Sequence, residues 1–411
     1  MKIWLEGGRT HHGAREAGGM EKGSGNKDFF HRHLAGTVAG VVGRGLREGV
    51  FPGAVAAIGH GVPGRRRLFI RAYGQAALVP SPRPLGEETF FDLASLTKPL
   101  VTSLAVLCLI ERGLLSLDMP LPRLVEDTVP EEKKTITLAR LLGHSSGLPA
   151  HRPYFEALRS VPAPERGARL VELILREPLE YRPGSMTVYS DLGFMLLGRI
   201  VELKGGMGLA TLAHRWLFEP LGLGEHLFFR PLHDLARETA GPAGFAATEN
   251  CGWRGRILCG EVHDDNAFVL GGVAGHAGLF GDAGGVLALT LALLDQWQGR
   301  ATHPGYANRD LARLLGRQDI ASTSWGLGFD TPSEGYSSGG RLLSRHSVGH
   351  LGFTGTSFWI DPEKETVVVL LTNRVHPDRH REGMRAFRPL FHDAVLAAIA
   401  QADPMGEGMV E

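Results

Sequence analysis

The stretch FDLASLTKPLVTSLAVLCLIER (residues 91–112) decides the fold of this 411-residue chain. It predicts one long helix from Ser95 to Arg112, which Gly113 ends. Because apolar residues surround this helix on every side, we expect it in the middle of a domain. Lys98, near its start, is costly to bury unless its amine is paired or neutral.

Strand patterns occur near both ends of the chain, and helix patterns fill its centre. Residues 52–59 and 67–73 predict two strands near the N terminus, and residues 356–360 and 366–372 predict two more near the C terminus. Residues 118–320 carry repeated helical periodicity. Because the strand-rich ends must meet, the sequence predicts an α/β (α+β) fold: an antiparallel β-sheet flanked by helices, with an inserted all-helical domain.

The predicted domain limits follow from this arrangement. The sheet domain comprises residues 28–117 and 321–403, and the helical domain comprises residues 118–320. Residues 1–27, Gly-rich and charged, predict a disordered N-terminal tail, and residues 404–411 a C-terminal tail. Neither a signal peptide nor a membrane span is readable, so the cytoplasm is the expected location, although export stays open.

Composition limits the possible partners and cofactors. The chain has 44 basic and 44 acidic side chains, and this balance gives no reason to expect nucleic acid or an anionic membrane as partner. Three cysteines are too few for a disulfide framework. Cys251 and Cys259 could pair or bind a metal, but with His263 nearby their spacing matches no common zinc pattern. We therefore expect no metal and no organic cofactor.

Ser95 and Lys98 form an S-x-x-K pattern, in which residues three apart share one face of a helix. A serine hydroxyl is a poor nucleophile until a base takes its proton, and an amine at this spacing can reach it. The helix N-terminus also favours negative charge that develops there. The same spacing recurs in Ser24-Gly25-Asn26-Lys27, but no apolar helix follows that copy. Alternatively, Lys98 extends its ammonium to the surface.

Ser145, in Gly143-His144-Ser145-Ser146-Gly147, is a second nucleophile candidate. This stretch matches G-x-S-x-G, an elbow that needs a strand before the serine and a helix after it. Here residues 137–142 predict a helix that Thr137 caps and Gly143 ends, and a proline follows the motif. Ser95 is therefore the stronger candidate.

A set of motifs in one order extends from residue 50 to residue 375. They are Phe91–Lys98, Leu141–Leu148, Arg182-Pro183-Gly184-Ser185, Tyr189-Ser190-Asp191 and Gly349-His350-Leu351-Gly352. In this set the chain resembles the serine β-lactamase-related hydrolases, a group with class C β-lactamases, low-molecular-weight penicillin-binding proteins, D-aminopeptidases and family VIII carboxylesterases. Residues 260–267 and 271–280 are similar to a penicillin-binding-protein-4B-like branch.

The resemblance implies a serine hydrolase that works through an acyl-enzyme without a cofactor. It assigns Ser95 as nucleophile, Lys98 as its activating partner and Tyr189 as the residue that passes the proton to the leaving group. A phenol of pKa about 10 can act as a base only beside a cation that stabilises the phenolate. Asp191 replaces the family's asparagine and puts negative charge where a donor would help to hold an amide substrate. Tyr189 could instead be a packing residue before the next helix.

The family's third motif, K-T-G on an edge strand, is absent, and His350-Leu351-Gly352 takes its place. His276-Ala277-Gly278 also fits H-x-G, but a helix rather than a strand is predicted after it. The resemblance implies that Gly352 keeps the strand edge open and that the backbone N–H groups of Ser95 and Phe353 hold the oxyanion. His350 could instead be a structural histidine bonded to the backbone.

The expected partner is a small-molecule ester, amide, or β-lactam or peptide substrate. A mostly neutral histidine at position 350 binds anionic substrates more weakly than lysine does, which favours an ester or small amide. A penicillin-binding D-Ala peptidase or a β-lactamase is the alternative, and a non-catalytic binding protein on the same fold is another. The sequence assigns no role to His263, Asp264 or His276.

Overall fold

Strands from the two ends of the chain meet in one antiparallel sheet, as the sequence predicts. The structure is a computed structural model and describes residues 24–235, 243–320 and 323–402. The strands of this sheet are β1 (Gly53–His60), β2 (Arg67–Ala77), β3 (Arg83–Pro84), β9 (Val348–Leu351), β10 (Ser357–Asp361) and β11 (Thr366–Thr372). Their order is β3-β2-β1-β11-β10-β9, which makes β9 an edge strand. Each neighbouring pair is antiparallel.

Helices cover both faces of this sheet and fill the middle of the chain. In the described residues they are α1 (Ser24–Arg47), α2 (Leu104–Glu111), α3 (Leu121–Leu124), α4 (Leu138–Leu142), α5 (Tyr154–Leu158), α6 (Arg166–Arg176), α7 (Asp191–Gly205), α8 (Leu209–Ala213), α9 (Leu232–Leu235), α10 (Asp265–Val269), α11 (Ala283–Trp297), α12 (Asn308–Leu315) and α13 (Met384–Ala402).

The residues of β1 alternate between two apolar cores, as a strand buried on both faces requires. Val55 and Ala57 belong to the larger core, on the side where α11 packs against the sheet. Ala54 and Ile58 belong to the smaller core, which α1 and α13 cover. The sheet is therefore held between helices on both sides.

The apolar segment 94–111 is not one regular helix. A 3₁₀ turn (Ala94–Leu96) leads to a π-helical turn (Lys98–Ser103) and then to α2. Pro99 has no N–H to donate to an earlier carbonyl, which accounts for the widened turn in place of the predicted helix. By length and composition alone this segment could cross a membrane, but 83% of it is buried inside the protein, as in a core helix.

The predicted inserted domain, residues 118–320, is not all-helical. It contains the short strands β5 (Leu227–Phe229), β6 (Ala247–Cys251), β7 (Arg256–Cys259) and β8 (Leu279–Gly281), and β8 pairs with β4 (Phe91–Asp92). Strands of three to five residues are too short to show a clear period in the sequence. Strands β8 and β5 complete a small sheet with β4, whose extended backbone needs hydrogen-bond partners, and β6 and β7 pair with each other in a separate two-stranded sheet.

Two smaller predictions also change. Helix α1 begins at Ser24, so residues 24–27, predicted as disordered, form its first turn. Residues 1–23, the side chains of the S-x-x-K copy at Ser24–Lys27, and the predicted tail 404–411 lie outside the described residues. Cys251 and Cys259 do not form a disulfide with each other, because the β6–β7 register pairs Cys251 with Arg256 and Cys259 with Ala247.

The ion pair between Arg66 and Asp295 joins the β1–β2 turn to α11. The guanidinium donates to both carboxylate oxygens over 3.0 and 2.8 Å, with side chains only 6% and 3% exposed. Removing one partner leaves a buried charge without its counterion. We therefore expect Asp295→Ala to lower the free energy of unfolding by roughly 3–5 kcal/mol, measured by urea denaturation.

The matched control is the exposed pair of Arg71 and Glu87, whose side chains are 59% and 47% exposed. Because water screens this pair, Glu87→Ala should change the same free energy by less than about 1 kcal/mol. Equal losses in the two variants would show that burial does not strengthen the Arg66–Asp295 pair.

Candidate active site

Ser95 lies in a strained turn immediately after β4. Ala94 has φ of +48°, which a residue with a Cβ adopts only at some cost. Its N–H donates to Asp92 Oδ1 over 2.8 Å, and its carbonyl accepts from Thr97 Oγ1 over 2.6 Å. These bonds hold the turn, and Ser95 is the only residue in 91–100 that is not fully buried.

The Lys98 ammonium is fully buried and donates to three oxygens from different parts of the chain. Nζ lies 3.0 Å from Ser95 Oγ, 2.8 Å from Asp191 Oδ1 and 3.1 Å from the carbonyl oxygen of His276. An ammonium has three protons, so this set uses all of them. Lys98 therefore does not reach the surface, and the alternative of an extended surface lysine is excluded.

Lys98 and Asp191 form an ionised pair. Burial favours the neutral carboxyl, but Lys98 and a hydrogen bond from His151 outweigh it and hold the pKa of Asp191 well below its usual range. Burial likewise lowers the pKa of Lys98, but Asp191 and Tyr189 outweigh this effect, and the net pKa is raised. Lys98 is therefore a cation at neutral pH.

Tyr189 lies against both residues of the S-x-x-K pair. Lys98 Nζ is 4.8 Å from the centroid of the phenol ring. Burial raises the pKa of Tyr189, while the charge of Lys98 and a hydrogen bond with Ser95 lower it in part. The phenol is thus neutral in the resting protein. Because Ser95 Oγ accepts a hydrogen bond from Lys98 Nζ, its own hydroxyl proton is left to point toward the phenol.

The loop after α4 positions Tyr189-Ser190-Asp191. His144 Nδ1 accepts from the N–H of Ser190 over 3.1 Å, and Ser190 Oγ donates to the carbonyl of Pro149 over 2.6 Å. Ser190 also caps α7, whose first residue is Asp191. Ser145 lies buried in this loop with a helix before it, so the G-x-S-x-G match is a support for the site and not a nucleophile elbow.

His350 lies on the edge strand β9, beside the Ser95 turn. Its Nδ1–H donates to the carbonyl of Leu351 over 2.8 Å, and burial lowers the pKa of His350 to about 3. Its imidazole is neutral and buried under the rings of Tyr189 and Trp325, with centroids 5.9 and 5.5 Å away. Sequence reasoning missed Trp325, which no motif marks.

The turn between β9 and β10 is tied to the residues before Ser95. Thr354 Oγ1 donates to the carbonyl of Asp92 over 2.7 Å, and Thr356 Oγ1 to that of Leu93 over 3.1 Å. A Cβ at Gly352 would lie 2.7 Å from the Leu93 carbonyl oxygen. Close packing therefore explains this glycine, whose N–H donates to the carbonyl of Thr356. Its role in keeping the strand edge open stays a prediction.

These ties also place the backbone of Phe353 beside the turn that contains Ser95. The Phe353 side chain is 52% exposed and stacks on the ring of His263, with centroids 5.7 Å apart. Of the two H-x-G copies, His276-Ala277-Gly278 is followed by strand β8 and not directly by the predicted helix. His276 nevertheless belongs to the site, because its carbonyl binds Lys98.

A cavity of about 460 Å³ opens beside Asp191 and Phe353. Its other lining residues include three that the sequence did not single out for the site, namely His151, Phe155 and Arg379. His151 Nδ1 donates to Asp191 Oδ2 over 3.3 Å, which raises the pKa of His151. No group of three metal-binding side chains occurs in the parts of the chain that the structure describes.

Comparison with known proteins shows which family the chain belongs to. The family profile for beta-lactamases matches residues 34–391. The chain belongs to the beta-lactamase family. A putative D-alanyl-D-alanine carboxypeptidase of Escherichia coli K12 is 32% identical over 323 residues, 74% of each chain. An N-acetylmuramyl-L-alanine amidase of Bacillus subtilis is 31% identical over 351 residues, 79% of this chain and 78% of that one.

Solved structures of beta-lactamase-family proteins have the same fold. EstCE1, a hydrolase with promiscuous acyltransferase activity, has a TM-score of 0.68 at 23% identity, over 89% of this chain and 99% of its own. The octameric penicillin-binding protein homologue from Pyrococcus abyssi has a TM-score of 0.66 at 19% identity, over 88% and 77%. The predicted fold class and the predicted family are confirmed.

The Lys98–Asp191 pair predicts a pH-dependent contribution to stability. The folded pKa of Asp191 is below that of an ordinary aspartate, about 3.9, so the contribution is complete above pH 4 and declines as the pH falls. We expect Asp191→Asn to lower the free energy of unfolding by roughly 3–5 kcal/mol at pH 7. The difference from wild type should shrink at pH 3. Urea denaturation at both pH values tests this, and a difference independent of pH would contradict the ion pair.

Proposed function

We propose that Ser95 is the nucleophile of an acyl-enzyme hydrolase that cleaves an ester or amide bond. The observation that carries the proposal is the 3.0 Å contact between Lys98 Nζ and Ser95 Oγ, at the one incompletely buried position of the segment. Family membership supports the reaction class, and the cavity beside Asp191 offers space for a substrate.

In the first step Oγ of Ser95 attacks the carbonyl carbon and gives its proton to the phenol oxygen of Tyr189, while the hydroxyl proton of Tyr189 moves toward the leaving oxygen or nitrogen. Because the phenol is neutral, it can take one proton only as it gives up another, so the two transfers are coupled. Lys98 is a poor candidate for the base because its ammonium is paired with Asp191. It instead stabilises the negative charge that develops on Oγ.

The next steps complete acyl transfer. The backbone N–H groups of Ser95 and Phe353 hold the oxyanion of the tetrahedral intermediate. As the bond to the carbonyl carbon breaks, the leaving oxygen or nitrogen takes up the former hydroxyl proton of Tyr189, and Tyr189 keeps the proton that came from Ser95. Water then attacks the Ser95 ester, gives a proton to Tyr189, and releases the acid while Ser95 regains its hydroxyl proton from Tyr189.

His350 favours a substrate without a carboxylate at the position that the K-T-G lysine contacts in the family. With a pKa of about 3 the imidazole carries no charge at neutral pH and cannot form an ion pair there. Esters and neutral amides meet this requirement. The name of the Bacillus subtilis relative supports an amide derived from the cell wall. A D-Ala carboxypeptidase is the second candidate, which the name of the Escherichia coli relative supports.

A fluorophosphonate probe tests the nucleophile. We expect stoichiometric labelling of the wild type and none of Ser95→Ala, because only an activated serine reacts with the probe. Ser145→Ala is the matched control, since it removes the serine of the G-x-S-x-G stretch, and it should be labelled like the wild type. Labelling that persists in Ser95→Ala, or a wild type that never reacts, would contradict the proposal.

Position 350 provides the test of substrate class. We expect kcat/KM of the wild type to be higher for p-nitrophenyl acetate than for an anionic cephalosporin. His350→Lys should raise the cephalosporin-to-ester ratio by roughly 10-fold or more, because a charge-assisted hydrogen bond contributes about 1.5–3 kcal/mol. The neutral His350→Gln is the control and should leave the ratio within about 3-fold of wild type. A wild type that prefers the cephalosporin would contradict the ester or neutral amide.

A further inference from the structure

Two stretches of the sequence have no role in the mechanism above, residues 263–266 and the loop that contains His276. We infer that Asp264 and His276 form a positioning pair. This pair fixes the backbone carbonyl of His276, which accepts the third hydrogen bond of the Lys98 ammonium. The inference rests on the proposed function, because it concerns the ammonium that activates Ser95.

Asp264 is held firmly at the start of α10. Its Oδ1 accepts from the N–H of Ala267 over 2.7 Å, which caps the helix, and from His276 Nε2 over 2.9 Å. The next turn is tied to a separate segment, because Asn266 Oδ1 accepts from the N–H of Phe155 and its Nδ2 donates to the carbonyl of Arg152. Asp264 is therefore a fixed acceptor for the His276 ring.

His276 joins this acceptor to the catalytic segment. Its ring is fully buried, and its carbonyl oxygen lies 3.1 Å from Lys98 Nζ. The preceding carbonyl, of Gly275, accepts from Thr102 Oγ1 over 2.6 Å. The carbonyls of Gly275 and His276 thus bind side chains of Thr102 and Lys98, which are one turn apart. The hydrogen bond of the His276 ring to Asp264 sets the orientation of the His276 carbonyl that faces Lys98.

Small residues let the loop come this close. A Cβ at Gly275 would lie 2.2 Å from the carbonyl oxygen of Phe194 and 2.7 Å from the backbone of Gly198, both on α7. The same helix begins with Asp191. The carbonyl of His276 and the carboxylate of Asp191 therefore reach Lys98 from a loop and a helix that pack directly on each other.

The pair also affects how the ammonium titrates. The charged and titratable groups that face Lys98 are Asp191 and Tyr189 at the start of α7, Asp264 and His276 from the loop side, and His144 and His350 from the opposite side. A carbonyl that accepts from the ammonium favours its protonated form. If this carbonyl turns away, Lys98 should lose its proton at lower pH.

His276→Ala tests the inference against His276→Gln, whose amide can still donate to Asp264. For p-nitrophenyl acetate we expect kcat of His276→Ala to fall by roughly 10- to 100-fold with little change in KM, because the nucleophile is misplaced and not the substrate site. The alkaline limb of its pH profile should begin about one pH unit lower than in wild type. His276→Gln should recover most of both losses.

A second carboxylate–histidine pair of the same design is the control. Asp282 caps α11 through the N–H of Gly285 and accepts from His226 Nδ1 over 2.6 Å, away from Lys98. His226→Ala should lower stability without moving the alkaline limb. An alkaline limb that is unchanged in His276→Ala, or that moves as far in His226→Ala, would overturn the inference, because either result indicates a purely structural role.

Titration with the fluorophosphonate probe separates this inference from the proposed function. It counts active sites, so a variant that merely unfolds loses sites, whereas a misplaced Lys98 slows labelling at an unchanged number of sites. If the wild type reacts through Ser95 and His276→Ala behaves like the wild type, the positioning pair alone is refuted. Wild-type protein without Ser95-dependent labelling would refute the proposed function.

Discussion

The buried ammonium of Lys98 is the constraint on which the rest of the site depends. A charge in the interior is tolerated only when it is paired and its hydrogen bonds are satisfied. Lys98 meets this requirement with Ser95, Asp191 and the carbonyl of His276. Asp191 and His276 lie 93 and 178 residues from Lys98 in the sequence, so the Ser95 turn, α7 and the loop before β8 must fold together.

The parts of this arrangement that the sequence predicted are those with local signals. The S-x-x-K spacing places two side chains on one helical turn, and an apolar helix identifies the copy at Ser95 as the buried one. The carbonyl of His276 has no such signal, because every residue carries a carbonyl and only tertiary packing selects one. Trp325 is likewise part of the site through its ring contacts alone, with His350 and Tyr189.

The fold shows the same division. Strands β1 and β11 are nearly continuous runs of apolar residues, a pattern that is typical of strands buried on both faces and that the sequence displays. The short strand β8 escaped prediction because three residues cannot show a period, although its pairing supports β4 directly before Ser95. Pro99 was visible in the sequence, but its consequence, a π-helical turn beginning at Lys98, required the geometry of the whole segment.

Two departures from the family pattern act on the charge of the site in the same direction. Aspartate at 191 in place of asparagine adds one negative charge, and neutral histidine at 350 in place of lysine removes one positive charge. Together they make the surroundings of Ser95 less positive by two unit charges. The ammonium of Lys98 is then neutralised within the protein by Asp191 and has little attraction left for an anionic substrate. Under the proposed function, the two changes of charge together favour substrates that are recognised by shape and hydrogen bonding.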